Sequence, residues 1–177
     1  MKNLLITGGC GFIGSNFINY IFQKNEYNII NVDAMYYCAN ELNISKNIRE
    51  SSNYIFFKGN ICSGDFINVI LNKYNIEYVI HFAAQSHVQN SFDDSLQFTK
   101  DNILGTHTLL ECCRKYNKIK KFIHVSTDEV YGETDDNKMD ETSILTPTNP
   151  YAATKAGAEM IALSYYKSFN LPIIITR

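Results

Sequence analysis

The chain has 177 residues, of which 45% are hydrophobic and 19% are charged, and its formal net charge is −2. This size and composition predict one domain with a substantial core, and a slightly acidic balance without a basic run argues against nucleic-acid binding. No stretch approaches ~18 uninterrupted apolar residues and the first residues lead straight into a strand, so we expect neither a membrane span nor a signal peptide. The five cysteines are odd in number and scattered. We therefore expect reduced thiols, a cytoplasmic location and no metal site.

Strand-like and helix-like hydrophobic patterns alternate along the chain. Strands are predicted at 3–7, 28–33, 54–58, 77–82, 120–126 and 172–176. Helices are predicted at 12–24, 64–75, 97–117 and 151–169, with a shorter one near 40–48. Such alternation indicates an α/β fold over residues 1–177, a Rossmann-like doubly wound parallel sheet with helices on both faces. Ligands bind such a sheet at the carboxyl ends of its strands. The candidate motifs at such ends are the glycine turn at 8–14, Asp33, Asn60-Ile61, residues 83–85 and residues 126–129.

The first predicted strand leads into a glycine-rich turn, Gly8-Gly-Cys-Gly11-Phe-Ile-Gly14, that opens a helix. Glycines tighten such a turn and let backbone N–H groups reach a pyrophosphate at the helix N-terminus. The second strand ends at Asp33, 19 residues after Gly14, close to the ~20-residue spacing of an acid that binds an adenosine ribose. The alternative is a strand-end Asp that caps a turn. Asp33 would repel a 2′-phosphate and residues 34–37 include no Arg or Lys, so NAD is predicted over NADP.

A Tyr-x-x-x-Lys pair opens the predicted helix 151–169. Tyr151 and Lys155 lie one turn apart on the same face. A tyrosine with an ordinary pKa near ~10 is a poor base at neutral pH, and a neighbouring ammonium favours the phenolate. We therefore expect Lys155 to lower the pKa of Tyr151, which could then act as a general base. The alternative is an amphipathic helix with a buried Tyr and a solvated Lys.

Two neighbouring acids, Asp128 and Glu129, follow the predicted strand 120–126. Adjacent residues on a strand face opposite ways, so the two acids can cooperate only if the strand has ended before them. Gly132 indicates a nearby turn. The alternative for this pair is a solvated loop.

Four segments together resemble the nucleotide-sugar 4,6-dehydratases of the extended short-chain dehydrogenase/reductase family. They are residues 6–15, 81–88, 122–132 and 147–155. The Thr-Asp-Glu triplet ahead of the Tyr-x-x-x-Lys motif is the most specific element. The resemblance implies a hydro-lyase that converts UDP- or dTDP-glucose to the 4-keto-6-deoxy sugar, through transient oxidation at C4 by tightly bound NAD.

The resemblance also implies roles for individual residues. Tyr151 would accept the C4 hydroxyl proton, Glu129 would remove the C5 proton, and protonated Asp128 would donate to the departing C6 hydroxyl. Thr127 would hydrogen-bond the C4 oxygen, and Lys155 would orient the nicotinamide ribose. The implied cofactor contacts are Gly8, Gly11, Phe12, Ile13, Gly14, Asp33, Asn60, Ile61, Phe82, Ala83, Ala84, Gln85, Tyr151 and Lys155, and the implied substrate contacts are Ser86 and Thr127.

Some positions depart from the family's pattern or carry no role in it. Asn60 stands where the family usually has Asp, and its main-chain carbonyl could still accept from an adenine amino group. His87 is interpreted as a packed or hydrogen-bonded wall residue, and His81, His107 and His124 as structural.

Assembly and completeness are also expectations of the resemblance. A homodimer would form through the helices at 97–117 and 151–169, with Leu104, Leu109, Leu110, Ile161, Leu163 and Tyr165 as apolar contacts. The chain would be the N-terminal part of a longer protein, with the C-terminal substrate domain absent from it. Two alternatives stay open: a nucleotide-sugar C4-epimerase or dehydrogenase, which needs the Tyr and Lys but not the two acids, and a non-catalytic dinucleotide-binding module.

Overall fold

The structure, a computed structural model, describes residues 1–133 and 138–177. Six strands form one parallel sheet in the order β3-β2-β1-β4-β5-β6. Their bounds are β1 Lys2–Thr7, β2 Tyr27–Asp33, β3 Tyr54–Lys58, β4 Tyr78–His81, β5 Lys121–Val125 and β6 Ile173–Thr176. All six predicted strands are confirmed. The strand order reverses between β1 and β4, the switch point at which doubly wound folds bind their ligands.

Within residues 1–133 and 138–177, seven α-helices accompany these strands. Their bounds are α1 Phe12–Phe22, α2 Lys46–Arg49, α3 Gly64–Lys73, α4 Val88–Asp93, α5 Ser95–Phe98, α6 Gly105–Tyr116 and α7 Pro150–Phe169. The helices predicted at 12–24, 64–75 and 151–169 are confirmed as α1, α3 and α7. The short helix predicted near 40–48 consists of a 3₁₀ turn, Glu41–Asn43, followed by α2. Helix α4 was not predicted, because its six residues are too few for a clear periodic pattern.

The helix predicted at 97–117 differs in its interior. Between α5 and α6 the backbone widens into a π-helical segment, Thr99–Leu104, which carries two buried polar residues, Asp101 and Asn102. Asn102 accepts from the Gln85 N–H at 2.7 Å and donates to the Gln85 carbonyl at 3.0 Å and to Thr154 Oγ1 at 2.9 Å. The wider turn therefore ties this helix both to the loop after β4 and to α7. Such π-segments occur frequently at functional sites.

Two apolar clusters cover the two faces of the sheet. Leu5 packs with residues of α3, α6 and α7, whereas Leu4 and Ile6 face α1 and α2. This alternation along one fully buried strand is the pattern of a central parallel strand. On the α1 face, Ile80 and Ile123 are only half-buried, so the helices described cover that face mainly over β1 to β3.

Only some of the apolar side chains on α6, on α7 and in the segment before α6 are exposed to solvent. Leu109, Leu110 and Tyr165 pack into the core, so they cannot form an intersubunit contact as the sequence suggested. Leu104 is exposed, and so is Met160. Within the residues described, no helix is long and apolar enough to cross a membrane.

Candidate active site

A cavity of about 340 Å³ opens at the carboxyl ends of the strands. It lies across the switch point between β1 and β4 and reaches the end of β5. Every residue predicted to contact a dinucleotide lines it, from Gly8 to Lys155, and Ser86 lines it as well. The lining also includes residues that the sequence did not single out, among them Tyr36, Asp101 and Val125.

The glycine turn brings the start of α1 to this cavity. Gly8 has φ +74°, and a Cβ there would stand 2.6 Å from the Ala83 Cα, so this position requires glycine. A Cβ at Gly14 would overlap the Gly8 carbonyl oxygen, so the helix can approach the turn only without a side chain there. Phe12 and Ile13, in the first turn of α1, line the cavity. N–H groups in a first helical turn have no intrahelical acceptor and are suited to an anion.

Asp33 ends β2 with a buried carboxylate. Its Oδ2 accepts from the Cys10 N–H at 2.9 Å and its Oδ1 accepts from the Met35 N–H at 2.8 Å. A carboxylate has about four acceptor sites, so two backbone donors fix its orientation and leave acceptor capacity for hydroxyl groups in the cavity.

A polar cluster closes the same end of the cavity. Asn60 Nδ2 donates to the Tyr36 hydroxyl at 2.9 Å, and its Oδ1 accepts from the Cys62 N–H at 2.8 Å. Asp101 accepts from the amides of Gln85 at 3.0 Å and Gln97 at 2.8 Å. Asp101 was not predicted as a site residue, because a carboxylate within a predicted helix normally belongs to its solvated face. The π-helical segment accommodates this one in the interior.

The acid pair lies just beyond the cavity lining. Strand β5 ends at Val125, and Asp128 begins a 3₁₀ turn, Asp128–Tyr131, capped by Thr127. The condition for cooperation between the two acids is therefore met, because they no longer alternate across a strand. Thr127 Oγ1 accepts from the Glu129 N–H at 3.3 Å and donates to Asp128 Oδ1 at 3.3 Å. Asp128 is exposed and Glu129 is half-buried.

Tyr151 and Lys155 lie in the cavity wall on α7, both buried. Lys155 Nζ donates to the Val125 carbonyl at 2.6 Å, and burial lowers its pKa to about 8, opposed by Glu159. Burial raises the pKa of Tyr151, the Thr127 side chain opposes this through a hydrogen bond, and the Glu129 and Asp128 charges add to the rise. We expected Lys155 to lower the pKa of Tyr151. That expectation is wrong, because the Lys155 ammonium points at the Val125 carbonyl at the end of β5.

One residue of the site was missed entirely. Asn149 caps the N-terminus of α7, with its Oδ1 accepting from the Ala152 N–H at 2.8 Å. Its Nδ2 donates to Glu129 Oε2 at 3.0 Å. An Asn before a Pro is an ordinary helix-start signal, and nothing in the sequence indicates the second contact.

The histidines take the places expected of structural residues. His81 lies between the Thr7 and Thr106 hydroxyls, at 2.7 and 2.9 Å. His87 caps α4 by accepting from the Asn90 N–H, and His107 contacts the Tyr165 hydroxyl.

Comparisons with known proteins agree with this arrangement. The family model described as GDP-mannose 4,6 dehydratase matches residues 5–177. The chain belongs to this family. It is 50% identical to a trifunctional UDP-glucose 4,6-dehydratase/UDP-4-keto-6-deoxy-D-glucose 3,5-epimerase/UDP-4-keto-L-rhamnose-reductase of Arabidopsis thaliana, over 99% of this chain and 27% of that protein. It is 51% identical to the dTDP-D-glucose 4,6-dehydratase of Dictyostelium discoideum, over 100% of this chain and 43% of that protein.

A solved member of the family has the same fold. The dTDP-glucose 4,6-dehydratase of Streptomyces venezuelae, determined with NAD bound, superposes with a TM-score of 0.94 at 35% identity, over 99% of this chain and 55% of that one. The chain thus spans about half or less of the length of these family members, and it matches the part of each that corresponds to the sheet and cavity described above.

We expect Lys155 to make stability depend on pH. The unfolded chain holds the Lys155 proton up to its ordinary pKa of 10.5 and the folded chain releases it at about 8. Between these values the unfolded state binds more protons, so the folded state gains stability as pH rises, by on the order of 3 kcal/mol. Lys155→Met should lose this gain relative to the parent in urea unfolding at pH 7.5 and 10, whereas Lys167→Met, on the exposed end of α7, should keep it. Equal pH slopes for the parent and Lys155→Met would contradict the assignment.

Proposed function

We propose that the protein containing this chain is an NAD-dependent NDP-glucose 4,6-dehydratase, a hydro-lyase. The observation that carries the proposal is the placement of two carboxylates, Asp128 and Glu129, beside the buried Tyr151 at one end of a dinucleotide-shaped cavity. Tyrosine and lysine alone would serve a dehydrogenase or an epimerase. The added acid pair supplies a base and an acid for the loss of water.

The residues around the cavity fit NAD. The first turn of α1 offers N–H donors for a pyrophosphate, and the Asp33 carboxylate offers acceptors for ribose hydroxyls. Phe82 to Gln85 would lie along the nicotinamide half and Asn60 and Ile61 along the adenine. When bound, NAD supplies a transient oxidation at C4 of the sugar and the matching reduction at C6. NAD is also present in the solved Streptomyces relative.

The chain's own residues then divide the proton transfers among them. Tyr151 takes the proton of the C4 hydroxyl, with Thr127 holding that oxygen. Glu129 removes the proton from C5, which the adjacent ketone has made acidic, and Asp128 donates a proton to the departing C6 hydroxyl, which leaves as water. Glu129 returns its proton to C5 when C6 is reduced. Lys155, which is hydrogen-bonded to the Val125 carbonyl, orients the nicotinamide ribose. Ser86, exposed at the cavity mouth, contacts the sugar nucleotide.

The base of the sugar nucleotide is uracil or thymine in this proposal. The relatives include both a UDP-glucose and a dTDP-glucose dehydratase at nearly equal identity. Parallel assays of the full-length protein with UDP-glucose and dTDP-glucose decide between them. A cytoplasmic location is supported by the five unpaired cysteines.

We expect the chain to bind NAD at least about tenfold more tightly than NADP, a difference of about 1.4 kcal/mol. The Asp33 carboxylate would repel a 2′-phosphate. Among the described residues of the cavity lining, Lys155 is the only cation, and its ammonium binds the end of β5, three strands away from β2. Isothermal titration measures both affinities. Asp33→Asn should reduce the difference between the NAD and NADP affinities, whereas the control Asp65→Asn, at the exposed start of α3, should leave it unchanged. Equal affinities of the parent for the two cofactors would overturn the cofactor assignment.

The order of proton transfers gives the test of the dehydratase itself. In the full-length protein with NDP-glucose, Glu129→Gln should still allow oxidation at C4 but should lose on the order of 10²-fold or more in water loss, because the amide cannot take the C5 proton. Mass spectrometry of the quenched sugar should then find 4-keto-glucose without 4-keto-6-deoxyglucose. Tyr151→Phe should yield neither, because the C4 proton has no acceptor. If Glu129→Gln formed the 4-keto-6-deoxy product at near the parent rate, the epimerase or dehydrogenase alternative would replace this proposal.

We also propose a homodimer through the outer faces of α6 and α7. Leu104, at the end of the π-helical segment that leads into α6, is 51% exposed, and Met160 and Tyr166 of α7 are 48% and 53% exposed. Exposed apolar side chains on adjoining helical segments are suited to an isologous contact with a second copy. Light scattering of the full-length protein should give twice the monomer mass, and Leu104→Glu should lower it towards the monomer. Leu42→Glu, at a leucine that is 71% exposed and lies in the 3₁₀ turn before α2, is the control. A monomeric parent at micromolar concentration would contradict the proposal.

A further inference from the structure

Asn149 makes two contacts that a single amide can satisfy in only one orientation. Its Oδ1 is held by the Ala152 N–H at 2.8 Å, which is the N-cap bond of α7. Because a backbone N–H can only donate, the oxygen of this amide must face the helix. The Nδ2 group is thereby turned away from the helix, and it donates to Glu129 Oε2 at 3.0 Å. The helix cap therefore determines that a donor, and not an acceptor, faces the carboxylate.

Capping alone does not require asparagine at this position. Ser, Asp and Asn cap helices about equally well. Among these three, asparagine alone carries an acceptor for the helix and an N–H donor on a second atom. A serine would reach less far, and an aspartate would place a second negative charge beside Glu129. The side chain found here is the cap that can also hold a carboxylate.

We propose that Asn149 is a positioning residue for Glu129 in the loss of water, an inference that rests on the proposed function. The same side chain starts the helix that carries Tyr151, two residues further on, and holds the carboxylate beside that tyrosine. The proton acceptor for C4 and the proton acceptor for C5 are thus placed relative to one another by one amide. The bond uses Oε2 and leaves Oε1 of Glu129 to receive the C5 proton.

The contact also restricts a side chain that would otherwise move freely. A half-buried glutamate has three rotatable bonds, and a base acts only within hydrogen-bonding reach of the proton that it removes. The neighbouring Thr127 does not hold this carboxylate, since its hydroxyl bonds to the Glu129 main chain and to Asp128 Oδ1. Asn149 is the side chain that the structure shows bonded to the Glu129 carboxylate.

The test compares Asn149→Ser and Asn149→Asp in the full-length protein with NDP-glucose. Both variants keep the helix cap, so their unfolding midpoints should match that of the parent. Their NAD affinity and their rate of C4 oxidation should stay within about twofold of the parent values. Water loss should slow roughly 10- to 100-fold in Asn149→Ser, the range expected for a lost hydrogen bond to a charged group. It should slow further in Asn149→Asp, because the like charge displaces the carboxylate. Asn40→Ser, at an exposed asparagine that caps the 3₁₀ turn Glu41–Asn43, is the control and should retain the parent rate.

The relative rates of water loss in Asn149→Ser and Asn149→Asp distinguish a positioning role of Asn149 from a capping role alone. A purely structural role predicts that Asp and Ser behave alike, and any damage would lower C4 oxidation and water loss together. Either of those results would overturn the inference, as would parent-like water loss in both variants. A separate measurement needs no activity: in the chain itself, the NMR signals of the Asn149 side-chain amide should shift in Glu129→Ala. A parent that dehydrates neither sugar would overturn the proposed function and the role of Asn149 with it, whereas an amide signal unmoved in Glu129→Ala would overturn the contact alone.

Discussion

The site depends on the docking of α7 against the carboxyl end of β5, and the buried bond from Lys155 to the Val125 carbonyl makes that contact. The residues with proposed catalytic roles lie on either side of this contact. Strand β5 continues into the turn that holds Asp128 and Glu129, and Asn149 and Tyr151 lie at the start of α7. An ammonium in this position loses most of its hydration, which is why its pKa falls to about 8. The bond therefore fixes the position of α7 relative to β5, at the cost of the hydration of the Lys155 ammonium. Such a cost is common for buried charges at functional sites.

A second charged group fixes the same helix one turn further along. Glu159 is fully buried and pairs with Arg177, which follows β6 and also donates to the Tyr131 hydroxyl at 2.6 Å. Tyr131 ends the 3₁₀ turn that begins at Asp128. Helix α7, the ends of β5 and β6 and the acid-bearing turn thus form one connected polar network. Such a network specifies a geometry more than it adds stability, because replacing a buried pair with apolar residues is often neutral.

The sequence predicted what depends on local pattern and on chain position. The six strands, the glycine turn and Asp33 were predicted because alternation, glycine spacing and strand ends are visible in the residues themselves. Asp101 and Asn149 were not found. The first lies inward because a helix widens into a π-segment, and the second acts through a contact made 20 residues away in the chain. The direction of the Tyr151 pKa was predicted wrongly, because helical spacing brings Lys155 to the same face without fixing where its ammonium points.

The pKa of Tyr151 also bears on why the acids are present. Their charges oppose the phenolate that the first proton transfer needs, in addition to the effect of burial, and only the Thr127 hydroxyl acts in the other direction. A site that used Tyr151 and Lys155 alone would hold more of Tyr151 as phenolate if the residues at 128 and 129 were neutral. Carboxylates at these positions make the first step harder, so they are accounted for by a later step that needs them. In the proposed function, removal of a proton from C5 and protonation of a departing hydroxyl are that later step, which epimerisation and simple oxidation do not need.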